Sequence, residues 1–370
     1  MENLIAVSRG FPSIRMPIFR SGFSGLTATD FIKKGFRGIS EDDGHMCCVR
    51  ATAQDLNPWR PLDKKAEGFL FVAPGVSESE AEELSLLISR FGFLKIALDV
   101  QVSWVLFVSE RPEVSMYKML ISDYARDRLL LVKNSFTVNE LKSIITTSNP
   151  RTKIFDAIAG YIHRECPLSV GMKRDLDLLL IKTLSRTDGK NLVQGIGFNK
   201  TVREILFPTM DRVCGSINSL SKVTSATSLH YVALLLMREV KSARAVAIGA
   251  KMQNDQLSDV FPGVNWPTVC DDFVISMGIQ PLEIDSFIYL PKLASRISAF
   301  NKVLLESDLM AVKMERVISL LEAAISQLKP CSTPVRMGEV QLVHRLARGI
   351  CFSFVAYNLV LQHLSTEFTF

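Results

Sequence analysis

Residues 229–252 read LHYVALLLMREVKSARAVAIGAKM. The stretch is dominated by Ala, Leu, Met, Arg and Lys, side chains that lose little rotamer freedom on entering a helix. It therefore predicts one long helix. Arg238, Lys241 and Lys251 recur along it at spacings of three and ten, and Arg244 follows Lys241 by three. On a helix those positions share a broad face.

Outward from this stretch the chain keeps the same character. Pro262 and Pro267 break it on the C-terminal side. Residues 297–328 then predict one or two amphipathic helices stopped at Lys329-Pro330, and residues 340–364 predict a last one. Towards the N-terminus, helical patterning covers residues 176–184 and runs from just after Lys153 through Ile162. Thr137 or Asn139 starts an earlier helix that Ser148-Asn149-Pro150 ends. Ser77 with Glu80 three residues on is a capping-box pair, followed by Leu84, Leu87, Ile88 and Phe91 on one face. Residues 69–72 and 102–108 are short apolar runs that fit either strands or buried helix.

The expected fold is thus mainly α: a two-lobed helical protein with a small β element in the N-terminal half and extended terminal arms. Its divisions are an arm at 1–37, an N-terminal lobe at 38–170, a C-terminal lobe at 171–349 and a C-terminal helix or tail at 350–370. A hinge at residues 167–171 separates the lobes.

Composition narrows the class. The 370 residues are 48% hydrophobic and 22% charged, with a mean hydropathy of +0.20. A chain of this kind buries enough apolar surface to fold over most of its length. So apolar a make-up also fits a protein partly covered by copies of itself. No stretch is expected to span a membrane: residues 350–361 are too few and include Asn358, and residues 93–108 are interrupted by Lys95 and Asp99. The opening MENLIAVSRG does not fit a signal peptide. Seven scattered cysteines point to reduced thiols in an intracellular compartment.

The net charge of +5 is unevenly spread. Residues 171–260 hold 13 Lys+Arg against 8 Asp+Glu, and residues 1–50 hold 7 against 5. In the first of these segments the candidate polyanion contacts are Lys173, Arg174, Lys182, Arg186, Lys190, Lys200, Arg203, Arg238, Lys241, Arg244 and Lys251. Rows of cations along helices follow a phosphate backbone, which is the sequence-independent source of nucleic-acid affinity. Taken singly, each residue reads equally as part of an ordinary solvated face. The arm SRGFPSIRMPIFRSGFSG interleaves Phe11, Phe19 and Phe23 with Arg9, Arg15 and Arg20, and reads as extended. It suits a neighbouring subunit or a nucleic acid; the plainer reading is a tail packed on its own domain. Just beyond lie Lys33, Lys34 and Arg37, with Phe36 among them as the best-placed base-stacking aromatic. Phe198, Phe207, Tyr231 and Trp266 fit the core better.

Candidate chemical sites are weak by comparison. Gly195-Ile196-Gly197-Phe198-Asn199-Lys200-Thr201 resembles a phosphate loop, but Asn199 stands where GxxxxGK[ST] needs glycine. A turn starting a helix at Asn199 or Thr201 is the better expectation, with free N–H groups able to meet a phosphate. His45, Cys47 and Cys48 cluster, and His163 precedes Cys166 by three, yet neither set has the second ligand pair that zinc needs. Asp271-Asp272 fits a helix N-terminus. No GxSxG, HExxH or kinase signature occurs. No enzyme, metal or cofactor is expected.

With its central basic segment, basic-aromatic arm and apolar C-terminal helix, the chain resembles nucleoproteins of negative-strand RNA viruses. The resemblance lies in architecture and charge layout over most of the chain and not in a motif. It implies two helical lobes clamping single-stranded RNA in a basic groove, terminal extensions that lock onto adjacent subunits, and partners that include a viral polymerase or phosphoprotein. It also implies a place in the host cytoplasm and the virion. A capsid protein of another RNA virus reads almost the same. A cellular helical adaptor that binds proteins is the rival from a different class, and an enzyme with a site visible only in three dimensions is a third.

Overall fold

A computed structural model describes residues 76–77, 79–115, 121–147, 154–166, 169–253, 257–283, 289–311, 314–333 and 338–367. The arm, with Lys33, Lys34, Phe36, Arg37 and the His45–Cys47–Cys48 cluster, lies outside them, as do residues 69–72.

The described chain is mainly helical. In order the helices are α1 Glu82–Ile88, α2 Arg90–Ser109, α3 Pro112–Ser115, α4 Asp123–Asn134, α5 Val138–Thr147, α6 Ile154–Glu165 and α7 Val170–Asp177. After a π-helical turn at Leu178–Lys182, α8 Arg186–Lys200 passes through a second π segment, Thr201–Leu206, directly into α9 Phe207–Thr224. Then follow α10 Thr227–Arg244, α11 Leu257–Val260, α12 Trp266–Ser276, α13 Tyr289–Leu305, a 3₁₀ turn at Asp308–Ala311, α14 Glu315–Cys331 and α15 Glu339–Glu367.

The local chemistry explains many of the starts. Ser89, Ser122, Ser169 and Ser185 cap α2, α4, α7 and α8, each side chain accepting an N–H from the first turn. The backbone N–H and the hydroxyl of Thr137 both donate to the Glu140 carboxylate at the start of α5. Ser77 and Glu80 do the same, with Ser77 N–H donating to Glu80 Oε2 at 2.8 Å, although the regular helix begins only at Glu82. Pro330 lies inside the last turn of α14 instead of stopping the helix before it.

Helix α2 is the hub of the first half, packing against α1, α4, α5, α6 and α8. Its residues Phe91–Ser109 are long and apolar enough to cross a membrane, with a mean hydropathy of 1.7, but 72% of that stretch is buried inside the protein. Val102, Trp104, Val105 and Val108 are fully enclosed, so the run at 102–108 is buried helix and not strand. Its interrupting charges sit at the rim, where Asp99 pairs with Lys133. In the second half α15 packs on α9, α13 and α14, and α10 packs on α9 and α13. The described residues all belong to one compact unit. Side chains from both sides of residues 167–171 meet in its core, as the Trp104–Thr183 bond of 2.8 Å and the Trp104–Phe273 ring contact of 4.9 Å show.

One expectation is corrected. The long helix over 229–252 ends at Arg244, and residues 249–250 form β1, paired in parallel with β2 at Gln280–Pro281. The small sheet among the described residues lies in the second half of the chain, and the run at 69–72, where a strand is also expected, lies outside them. A Cβ on Gly195 of α8 would lie 2.7 Å from the Gly249 carbonyl oxygen, and one on Gly249 would lie 1.9 Å from that of Gln280. The strand reaches this position because both residues lack side chains.

Candidate nucleic-acid interface

The cations predicted to meet RNA are distributed over several elements. Lys173 and Arg174 are exposed on α7. Arg186, Lys190 and Lys200 lie on α8, Arg203 in the π segment after it, and Lys251 just beyond β1. The side chain of Lys182 lies outside the described residues. Arg238, Lys241 and Arg244 are exposed on α10. Helix α8 packs on α1, α2 and β1, whereas α10 packs on α9 and α13, so the two richest sets sit on differently partnered helices.

Several of these side chains already hold acids or amides. Arg186 meets Asp156 of α6 at 2.7 Å, Arg244 pairs with Asp211 of α9, and Arg203 Nε donates to Asn199 Oδ1 at 2.7 Å. Arg238 has a more structural role. Its side chain is 70% exposed, yet it meets Glu239, only 8% exposed, at 3.0 Å, while Arg296 of α13 stands 3.9 Å from the same carboxylate. A buried carboxylate needs such partners. Exposed ion pairs are individually weak and exchange readily with other charges, so Arg186 and Arg244 stay able to meet an anion. Lys173, Arg174, Lys200 and Lys241 meet no carboxylate among the described residues.

The solvent side of α10 carries more than charge. Tyr231 is 63% exposed and Leu234 50%, with Met237 beside them and Val223 from the end of α9 at 60%. At helical spacing Tyr231, Leu234, Arg238 and Lys241 fall on one side. The N-terminal half of this face is apolar and its C-terminal half cationic. Of the aromatics weighed as base-stacking candidates, Phe198, Phe207 and Trp266 are buried and Tyr231 stands in solvent.

The other candidates resolve differently from their expectations. Residues 195–201 start no helix. Gly195 and Gly197 lie inside α8, where Gly195 admits β1 and a Cβ on Gly197 would come 3.2 Å from the Phe93 ring. With their amides inside a continuous helix they offer no cradle for a phosphate. Asp271 and Asp272 lie within α12 and not at its start, and Asp272 serves the Arg111 pair. His163 meets Asp177 at 2.7 Å. No group of three or more His, Cys, Asp or Glu side chains that could hold a metal occurs among the described residues.

A cavity of about 350 Å³ opens elsewhere, between α1 and α15, with Glu80, Glu82 and Glu83 at one wall and Phe354, Val355 and Leu359 at the other. None of the predicted cations lines it. No protein-family model matches this chain, and no curated protein is similar to it in sequence.

Proposed function

We propose that the protein is an RNA-binding, self-assembling coat subunit resembling the nucleoproteins of negative-strand RNA viruses. The observation that carries the reading is the solvent face of α10. An exposed aromatic, Tyr231, shares that face with Arg238 and Lys241, and Arg244 follows Lys241 at the end of the helix. Proteins that bind single strands without reading sequence combine these two elements: cations that track the backbone and aromatic faces that accept unpaired bases. The apolar part of the face, with Leu234, Met237 and Val223, suits contact with a neighbouring subunit. That same apolar part also favours the rival reading, a helical adaptor that binds another protein.

Titration of a labelled single-stranded RNA, followed by fluorescence anisotropy, tests the proposal. Replacing Arg238, Lys241 and Arg244 together with alanine is expected to weaken binding and to reduce the salt slope by about 0.7 for each phosphate no longer neutralised. Tyr231→Ala is expected to weaken it further, without changing that slope. The protein as purified is expected to carry nucleic acid and to elute as large particles. A small particle, free of nucleic acid and indifferent to RNA at low salt, would overturn the coat reading and leave the adaptor.

A further inference from the structure

The N-terminal half of α15 reads LVHRLARGICF, residues 342–352. Nearly all of it is buried: Leu342, Val343, Leu346, Ala347, Ile350 and Cys351 each expose 2% or less. Arg345 and Arg348 interrupt this apolar surface three residues apart, so their side chains leave the same side of the helix. Both are only partly exposed. Nε of Arg348 is shut off from solvent and has no hydrogen-bond partner among the described residues.

What marks the pair is half-burial without a counter-charge, whereas Arg174, Arg203 and Arg212, which also meet no carboxylate among the described residues, are exposed. Arg111, Arg186, Arg238, Arg244 and Arg316 each meet a carboxylate. Arg345 and Arg348 meet none among the described residues. The charge that acts on Arg348 is that of Arg345, and burial together with this repulsion lowers its proton affinity. The nearest helix end does not compensate either. Arg345 lies close enough to Cys331, the last residue of α14, to influence its thiol. Yet the final carbonyls of α14 already accept backbone amides, those of Leu328 and Lys329 from Ser332 and that of Pro330 from Thr333. Neither guanidinium is needed as a cap.

A half-buried guanidinium without a partner is costly to keep, and two side by side cost more. The ligand that removes the cost must be an anion with several acceptor oxygens, because each guanidinium presents a planar fork of donors. A single carboxylate neutralises only one of the two charges. Inorganic phosphate or a phosphomonoester carries close to two charges near neutral pH and offers three acceptor oxygens, and two successive diesters of an RNA backbone, one charge each, supply the same two charges.

We propose that Arg345 and Arg348 form a phosphate-binding pair on α15, outside the basic segment 171–260. It accepts a phosphate group either from an RNA backbone or from free phosphate or a phosphomonoester. The pair does not depend on the coat reading.

Thermal melting of the full chain tests it, with sodium phosphate compared against sodium chloride of equal ionic strength. Phosphate is expected to raise the melting temperature beyond chloride, as any ligand of the folded state does. Arg348→Met and Arg345→Met are each expected to lose that increment. Arg348→Met is also expected to melt no lower than the unsubstituted protein in phosphate-free buffer, because it removes a half-buried charge that has no counter-charge among the described residues. Arg348→Lys keeps the charge but loses the fork, and is expected to respond only in part. An equal increment in all four proteins, or none in any, overturns the site. The same variants titrated with single-stranded RNA separate the two sources. If the RNA backbone supplies the phosphate, Arg348→Met binds RNA at least threefold more weakly; if the ligand is free, RNA binding is unchanged while the thermal increment is lost. Should the α10 alanine variants leave RNA binding intact while Arg348→Met loses the increment, the coat interface fails and the phosphate pair stands.

Discussion

The indole Nε1 of Trp104 donates to Thr183 Oγ1 at 2.8 Å, and both side chains are buried. Trp104 lies on α2, and Thr183 follows the π turn at Leu178–Lys182. Around the bond the Trp104 ring meets Phe273 edge-on at 4.9 Å and Trp266 at 6.5 Å. Residues nearly eighty and more than one hundred and fifty positions along the chain from Trp104 therefore depend on this one side chain.

Trp104→Phe keeps most of the ring volume and removes the donor. It is expected to cost about 1–3 kcal/mol from the broken hydrogen bond and the unfilled space. Trp104→Ala is expected to cost about 3–5 kcal/mol. Urea unfolding followed by circular dichroism measures both, and a change below about 0.5 kcal/mol for Phe, the level of an ordinary surface substitution, would show that this bond does not hold the core.

Two glycine substitutions should move stability in opposite directions. Gly195→Ala drives a methyl into the Gly249 carbonyl, a backbone atom that cannot swing away, and is expected to destabilise by about 1–3 kcal/mol. Gly160 lies inside α6 with open space around its added Cβ, so Gly160→Ala is expected to stabilise by about 0.5–1 kcal/mol. Melting temperatures of the pair decide it; two decreases of similar size would contradict the close approach of α8 and β1.

Cys166, Cys214, Cys270 and Cys331 are free thiols and buried, and Cys351 is buried as well. Burial pushes the Cys214 thiol up to about 12 and that of Cys331 up to about 11, and raises Cys166 and Cys270 as well. Thiolate, the reactive form, is therefore scarce at neutral pH. In native buffer a thiol reagent is expected to leave these five unlabelled over times that modify an exposed cysteine, and to reach all of them in denaturant. Peptide mapping by mass spectrometry identifies the sites; prompt native labelling of Cys270 would be incompatible with its enclosure.

The capped turn before α1 gives an acid-sensitive element. The Ser77 backbone N–H holds the Glu80 carboxyl below its ordinary value of 4.5, and the Ser77 hydroxyl and Arg316 act in the same direction. A depressed carboxyl favours the fold fully above its unfolded value and loses that contribution as pH falls through the folded one. Glu80→Gln should therefore lower the melting temperature slightly at neutral pH and converge with the unsubstituted protein in acid, which flattens the fall below the ordinary carboxylate range. An unaltered acid limb would show that Glu80 stays out of the titration.

Much of the helical architecture was legible because its signals are local. Thr137 with Glu140, and Ser77 with Glu80, announce helix starts through neighbours three residues apart. Helix α2 was ambiguous since it is buried on nearly all sides and shows no polar stripe, so a strand fitted equally well. The overextension of α10 had another cause. Residues 245–248 are helix-favouring by type, and only the distant Gly195 and Gln280 make β1 possible. The candidate cations were legible as charge and not as geometry. Arg186 and Arg244 look alike in sequence, but their acid partners, Asp156 and Asp211, come from other helices. Arg345 and Arg348 went unnoticed because the C-terminal third is nearly neutral in total. Their signal was two arginines set inside a run that is otherwise apolar.

The passage of α8 through a π segment into α9 makes residues 186–224 one unbroken rod, roughly 55–60 Å long at about 1.5 Å per residue. One end is set among α1 and α2, and the other against α10 and α15. A torque applied at either end is carried to the other without a loop to absorb it. The turn at Thr201–Leu206 departs from the α pattern, and Pro208 just beyond it donates no N–H, so the rod should flex there first, and, away from its ends, its amides should exchange with deuterium before those of the turns on either side.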